Sequence, residues 1–219
     1  MTAVCSEGKF ITLEGGEGAG KSTSREFIVE LLTANEIPFV QTREPGGTPL
    51  SESLRSLLLA KDGAAPSVEA ELLMVFAARA QHLHEVIEPA LAKGQWVLCD
   101  RFTDATYAYQ GYGRGFDLGA INVLEAMVQK DRHPDLTLLF DVDPRIGIER
   151  AQKRAELDRF ESEELAFFER VRQGYLERAE SSERFVVIDA ARPVPDVQAS
   201  IREALELFIE GTNDKYSVS

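Results

Sequence analysis

Gly15-Gly16-Glu17-Gly18-Ala19-Gly20-Lys21-Ser22-Thr23 follows closely on the apolar run Phe10-Ile11-Thr12-Leu13. Gly15, four residues, Gly20, Lys21 and a hydroxyl residue is the spacing of a loop that wraps phosphate between a strand and a helix. Glycines at a strand end let successive backbone N–H groups turn inward, and the following helix adds the positive end of its dipole. Gly15, Gly18, Ala19, Gly20, Lys21, Ser22 and Thr23 are therefore the candidate polyphosphate ligands. Lys21 supplies a point charge, and the Ser22 hydroxyl is placed for an accompanying Mg²⁺. The plainer account is a Gly-rich turn capping an ordinary helix, and the strand–loop–helix setting weighs against it. The stretch reads as a nucleoside triphosphate site.

Outward from the loop, strand-like and helix-like runs alternate. The strands are expected at Lys9–Glu14, Pro38–Arg43, Gln95–Asp100, Leu136–Val142 and Phe185–Asp189. The helices are expected near Lys21–Asn35, Pro49–Ala60, Val68–Lys93, Leu118–Lys130, Pro144–Arg154, Glu161–Ser181 and Val194–Glu210, with Gly211–Ser219 frayed. Ser67 is placed to cap the third helix, and Pro89 to bend or end it. Val, Leu and Ile fill the strands with little polar alternation, as when helices cover both faces of a sheet. The expectation is an α/β fold of three layers, a five-stranded parallel sheet flanked by helices, in one domain over residues 1–219.

Composition narrows the function. The net charge of −13 argues against a nucleic-acid or anionic-membrane partner, which would want a basic face. No apolar run approaches membrane-spanning length and no signal-peptide pattern is seen, so the cytoplasm is the default. Cys5 and Cys99 are too few for a disulfide framework, and Cys99 reads as a small buried apolar residue. An anionic nucleotide must then be met by cations gathered locally against an unfavourable global field.

In an open parallel sheet, ligands bind beyond the carboxyl ends of the strands. There the second strand is followed by Arg43-Glu44-Pro45-Gly46-Gly47, the third by Asp100-Arg101, and the fourth by Asp141 and Asp143. A carboxylate at Asp100 can hold Mg²⁺, and Arg101 can fork onto a phosphate that the loop does not reach; a surface ion pair is the alternative. Thr103 to Arg114 carries hydroxyls, an amide and aromatic rings able to read a base edge and pack a sugar, or else forms an ordinary Gly/Tyr loop.

FITLEGGEGAGKST, TREPGGTPL, LLMVFAARAQHL, DRFTDATYAYQGYGRG, PDLTLLFDVDP and RAQKRAELDRFE, spread almost end to end, resemble the thymidylate kinases. These P-loop enzymes phosphorylate dTMP to dTDP with ATP. The phosphate loop alone is shared by many nucleotide enzymes, whereas REPGGT with DR…YQG…GR is far more restrictive. The resemblance implies that Glu17 approaches the deoxyribose 3′-hydroxyl and that Phe76 stacks on thymine, although periodicity alone favours a core aromatic. It implies that Arg79 donates to a thymine carbonyl, that Thr106 and Gln110 read near the base, and that Tyr109 packs on the sugar. Arg43 and Arg101 would hold the acceptor phosphate, and Pro45 and Gly46 would let the backbone approach the nucleotide. A homodimer through the helix Val68–Lys93 is the family's precedent.

Residues 145–160 read as a lid. Arg150 and Arg154 share a helix face, where the plainer account is a solvated helix end. Gly18 and Ala19 stand where one branch of the family supplies a loop arginine, so the resemblance to the bacterial branch assigns that charge to Arg154, with Arg150 or Lys153 beside it. Arg192, in the loop after the last strand, is the adenine candidate, or part of a sheet-end turn. Ala105 replaces a frequent serine and Phe102 a frequent tyrosine. No general base is required, because a phosphomonoester with a second pKa of about 6 is already ionised. His82, His84 and His133 are expected to be structural or exposed. A kinase of another nucleoside monophosphate, and a non-catalytic regulatory P-loop protein, are the competing readings. A GTP switch is disfavoured, since neither Asn-Lys-x-Asp nor Asp-x-x-Gly after the loop is found.

Overall fold

The computed structural model describes residues 8–60, 65–153, 159–160 and 163–214. Five parallel strands lie in the order β2-β3-β1-β4-β5: β1 (Phe10–Gly15), β2 (Phe39–Arg43), β3 (Trp96–Asp100), β4 (Leu136–Asp141) and β5 (Phe185–Asp189). Each lies within one residue of its expected bounds. Central β1 is buried along its whole length and hydrogen-bonded on both sides, to β3 and to β4.

Period-two alternation divides the strand side chains between two helical layers. Ile11, Leu13, Leu98, Leu138 and Phe140 pack against Ile28, Leu31 and Leu32 of α1 (Lys21–Ala34) and Val197, Ile201 and Leu205 of α9 (Val194–Asp214). Phe10, Val97 and Cys99 pack against Leu83, Ile87 and Leu91. Those three belong to a continuous helical run: α3 (Val68–His82), a widened π turn (Leu83–Ile87) and α4 (Glu88–Ala92). Leu139 packs with Tyr109 and with Phe167, Phe168, Val171 and Tyr175 of α8 (Leu165–Glu180).

Local signals fix four of the helix starts among the described residues. Ser67 caps α3 by accepting from the Ala70 N–H, and Thr48 caps α2 (Pro49–Leu59) by accepting from Ser51. Asp117 caps α6 (Leu118–Gln129), and Asp143 caps α7 (Pro144–Gln152), where Pro144 stands in the first turn. Pro89 neither ends nor breaks the long helical run. It falls in the first turn of α4, directly after the π turn.

Three expectations are corrected. Thr103–Gly113 is helical, as α5 (Thr103–Thr106) and a π-helical continuation (Tyr107–Gly113), rather than a loop. Its last glycine serves close packing, since a Cβ at Gly113 would lie 2.6 Å from Phe167 of α8. The α8 helix begins at Leu165, after an extended Glu164. The last helix runs past Glu210 and through Gly211 to Asp214, instead of fraying at Gly211.

Candidate active site

The phosphate loop leaves the middle of the sheet and enters α1 at Gly20. Gly18 has φ +67°, and a Cβ there would lie 2.0 Å from the Gly147 carbonyl oxygen of α7. The loop therefore touches α7 backbone to backbone. Lys21 folds back so that Nζ donates to the Gly15 and Gly16 carbonyls at 2.9 and 3.1 Å. Burial first, and then the Arg101 charge, lowers the Lys21 pKa.

Arg101, just past β3, has φ +67° and turns its guanidinium under the loop. Nη1 donates to the Gly15 carbonyl and to the Tyr175 hydroxyl at 3.0 Å each, and Nη2 donates to Glu17 Oε1 at 2.6 Å. Glu17 Oε1 also accepts from the Tyr109 hydroxyl at 2.9 Å, and the Arg101 guanidinium lies 4.8 Å from the Tyr109 ring centroid. Tyr175 donates to Glu14 Oε2 at 2.8 Å, and the Phe102 N–H donates to Glu14 Oε1 at 2.7 Å. Burial, and next the Asp104 charge, push the Glu14 carboxyl up to about 8 against the opposing pull of Arg101 and these hydrogen bonds. Asp104 is itself buried; burial would raise its pKa, but the Arg184 and Arg178 guanidiniums hold it low.

A cavity of about 260 Å³ opens between this cluster and the helices α2, α3 and Thr103–Gly113. Its walls include Glu17, Lys21, Ser22, Arg43, Pro45, Arg79, Asp100, Arg101, Thr106, Tyr109 and Gln110. The fold thus brings residues from separate segments, each named from the sequence, to one place. Arg79 is 1% exposed: Nε donates to Glu44 Oε2 at 2.7 Å and Nη2 to Thr106 Oγ1 at 2.9 Å. Arg79 Nη1 and Asp100 Oδ1 are buried with no hydrogen-bond partner among the described residues. Gln110 donates to Glu71 at 2.7 Å, and Arg43 forks onto Glu52 at the exposed rim.

The fit for a divalent cation is tested by Asp100. A partnerless carboxylate oxygen on the same wall as Ser22 and the phosphate loop suits a hard ion that completes its shell with phosphate oxygen and water. No group of three or more His, Cys, Asp or Glu able to hold a metal occurs among the described residues.

Other named residues lie elsewhere. Phe76 is not on the cavity wall; it is 2% exposed and packs with Leu72, Tyr107 and Ile121, while its neighbour Val75 faces the cavity. The reason is geometric: a helix face one residue away serves the core, and the Phe76 ring lies 5.0 Å from the Arg79 guanidinium instead of facing a base. Arg150 donates to the Ala190 carbonyl at 2.9 Å and does not line the cavity. Arg192 pairs with Asp196 on the surface at 3.3 Å. Arg154, and with it part of the expected lid, lies outside the described residues. Sequence reasoning misses Glu14, Glu44, Glu71, Tyr175 and Phe160 as parts of the site. The legible signals among them are Glu44, inside the segment that follows the second strand, and Glu71, a buried glutamate opening the apolar run Leu72-Leu73-Met74.

A family model described as thymidylate kinase matches residues 13–201. The thymidylate kinase of Teredinibacter turnerae is 59% identical over 203 residues, covering 92% of this chain and 99% of that protein. That of Pseudomonas savastanoi pv. phaseolicola is 58% identical over 204 residues, covering 93% and 97%. The crystal structure of thymidylate kinase from Ehrlichia chaffeensis is similar at a TM-score of 0.72 and 35% identity, covering 91% of this chain and 99% of that one. The fold is thus of the P-loop NTPase type.

Proposed function

Since the chain belongs to the thymidylate kinase family, we propose that its cavity aligns dTMP with the terminal phosphate of ATP for in-line transfer. The enzyme phosphorylates dTMP to dTDP. The observation that carries the assignment of the acceptor end is Arg79. A buried guanidinium with one nitrogen unpartnered among the described residues, bonded to Thr106 and on the same wall as Gln110, suits a neutral base carbonyl. Phe76 supports that guanidinium from the core side rather than stacking on the base.

The remaining roles follow from position. The backbone of Gly15 to Gly20, with Lys21, Ser22 and Thr23, takes the ATP phosphates, and Lys21 exchanges its loop carbonyls for phosphate oxygen. Arg101 and Arg43 meet the acceptor phosphate, Glu17 the 3′-hydroxyl, and the Tyr109 ring the sugar, with Pro45 beside the nucleotide. Ser22 and Asp100 would hold Mg²⁺, which when bound offsets charge on the phosphates. The acceptor phosphate needs no base, since its second pKa is about 6. Arg154 is assigned to the transferring group by resemblance alone, within a lid over residues 145–160 of a single domain.

The exposed apolar side chains Leu73 of α3 and Val123 and Met127 of α6, helices that pack on each other, support a homodimer. Sedimentation at micromolar concentration tests it, and a monomer refutes it. No described helix is long and apolar enough to cross a membrane, and we place the enzyme with its nucleotides in the cytoplasm. The deciding experiment measures ADP formation from Mg-ATP with dTMP, dUMP, dCMP, dAMP, dGMP and UMP separately. Strong turnover with dTMP and weak turnover with dUMP is the expected outcome. A different best acceptor refutes the base assignment, and nucleotide binding without acceptor-dependent turnover refutes catalysis.

A further inference from the structure

His82 is set aside by the sequence as structural, yet its ring is the far end of a short chain of contacts that stops at the cavity. It lies one turn after Arg79 on α3 and is fully buried. Its Nδ1 is 3.0 Å from Glu44 Oε1, and its Nε2 is 2.6 Å from Thr42 Oγ1. With the Nδ1 hydrogen donated to Glu44, Nε2 accepts from the Thr42 hydroxyl, which fixes the tautomer. Gly47 passes beside the ring, where a Cβ would lie 2.6 Å from both Cδ2 and Nε2.

Glu44 is the bridge. It is 4% exposed, its N–H donates to the Asp100 carbonyl at 2.9 Å, and its second oxygen takes Arg79 Nε at 2.7 Å. Arg79 is therefore held at Nε by Glu44 and at Nη2 by Thr106, with the Phe76 and Phe102 rings each 5.0 Å from its centre. One nitrogen, Nη1, is left to be aimed.

We propose that His82 is a positioning residue for base selection: by fixing Glu44 Oε1 it sets the direction in which Arg79 Nη1 is presented to the acceptor base. The inference rests on the reading that Arg79 meets that base. Without the imidazole, Glu44 keeps Arg79 but gains freedom about its own side chain, and the guanidinium loses its aim before it loses its charge.

The test compares His82→Leu, His82→Asn, Thr42→Val and Arg79→Met by steady-state kinetics, each checked for a cooperative thermal transition. Asn can place a side-chain N–H near the Nδ1 position, so it serves as the conservative rescue. His82→Leu is expected to raise the KM for dTMP about tenfold, with kcat and the KM for ATP changed less than about threefold. His82→Asn is expected to recover most of that loss, and Thr42→Val to show a smaller rise of the same kind. In the double variant His82→Leu/Arg79→Met, dTMP KM is expected to match Arg79→Met alone. Additive losses in the double variant, or equal losses in kcat and in both KM values, overturn the inference. If His82→Leu does not fold, an unchanged dTMP KM in both Thr42→Val and His82→Asn/Thr42→Val overturns it. If Arg79→Met itself leaves the dTMP KM unchanged, the base assignment fails instead, and the two failures are thereby distinguished.

Discussion

Gly147→Ala sets helix propensity against packing in a single methyl group. Gly147 is buried within α7 and its N–H donates to the Asp143 carbonyl at 3.0 Å, so propensity alone favours alanine by about 1 kcal/mol. A Cβ at this position would lie 2.2 Å from the Glu17 carbonyl oxygen of the phosphate loop. Ordinary carbon contacts begin at about 3.5 Å, so α7 and the loop must separate by more than about 1 Å. Neither side yields easily, because both are backbone and Gly18 presses on Gly147 in return. A displacement of about 1 Å in a phosphate-positioning element lowers the rate roughly 100-fold, or about 2.7 kcal/mol in the barrier. The assay is kcat at saturating Mg-ATP and dTMP, with ATP affinity by calorimetry and the melting temperature alongside. Gly211→Ala in α9, where a Cβ meets nothing within 4 Å, is the control and is expected to stabilise without loss of rate. A Gly147→Ala enzyme that melts higher and keeps kcat within about threefold refutes the argument that this contact sets the loop.

Asp100→Asn is expected to raise the Mg²⁺ concentration for half-maximal activity at least about tenfold while nucleotide binding without metal is kept; an unchanged Mg²⁺ dependence removes Asp100 from the ion. Glu14, with its carboxyl pushed up to about 8 from 4.5, takes up a proton on folding. Its contribution is whole below pH 4.5 and is lost as pH rises through 8, with a slope of at most about 1.4 kcal/mol per pH unit. Stability to urea, followed from about pH 5.5 to about pH 8.5, is therefore expected to fall more steeply for the parent than for Glu14→Gln, and parallel slopes would sink the assignment. Asp104→Asn strips the buried carboxylate from the half-buried Arg178 and Arg184 guanidiniums and is expected to cost about 1.5–3 kcal/mol in denaturant unfolding; a loss under about 1 kcal/mol would show that solvent replaces it.

What can be read in the chain is what spacing determines. The strands follow from apolar runs, and the phosphate loop follows from glycines that only a strand–turn–helix can use. The segment Thr103–Gly113 misleads because its glycines and tyrosines look like loop residues. Packing of that stretch against α8, a distant element, makes it helical, and no local signal contains that contact. Phe76 and Val75 show a second limit. Helical periodicity names the apolar stripe but not which edge of it borders the cavity. The Glu14–Tyr175 pair joins residues 161 positions apart, and His82 acts through a residue 38 positions away, so neither partnership is written locally.

The arrangement of charge answers how a chain of net charge −13 gathers anionic substrates. Each arginine on the cavity wall named above has a carboxylate partner, and the pairs differ in depth. Arg43–Glu52 is open to solvent at 49% and 43% exposure, Arg101–Glu17 is intermediate at 17% and 19%, and Arg79–Glu44 is buried at 1% and 4%. An exposed pair is worth at most about 1 kcal/mol, so a phosphate easily takes Arg43 from Glu52. Parting the buried pair would cost about 3–5 kcal/mol, so Arg79 keeps Glu44 and offers only its remaining nitrogen. Depth therefore divides the work. The shallow cation is free to follow a charged phosphate, the intermediate one is shared between Glu17 and that phosphate, and the deep one, already neutralised, is fitted to an uncharged carbonyl. A uniformly basic cavity would attract any nucleotide more strongly but would give up this distinction between phosphate and base.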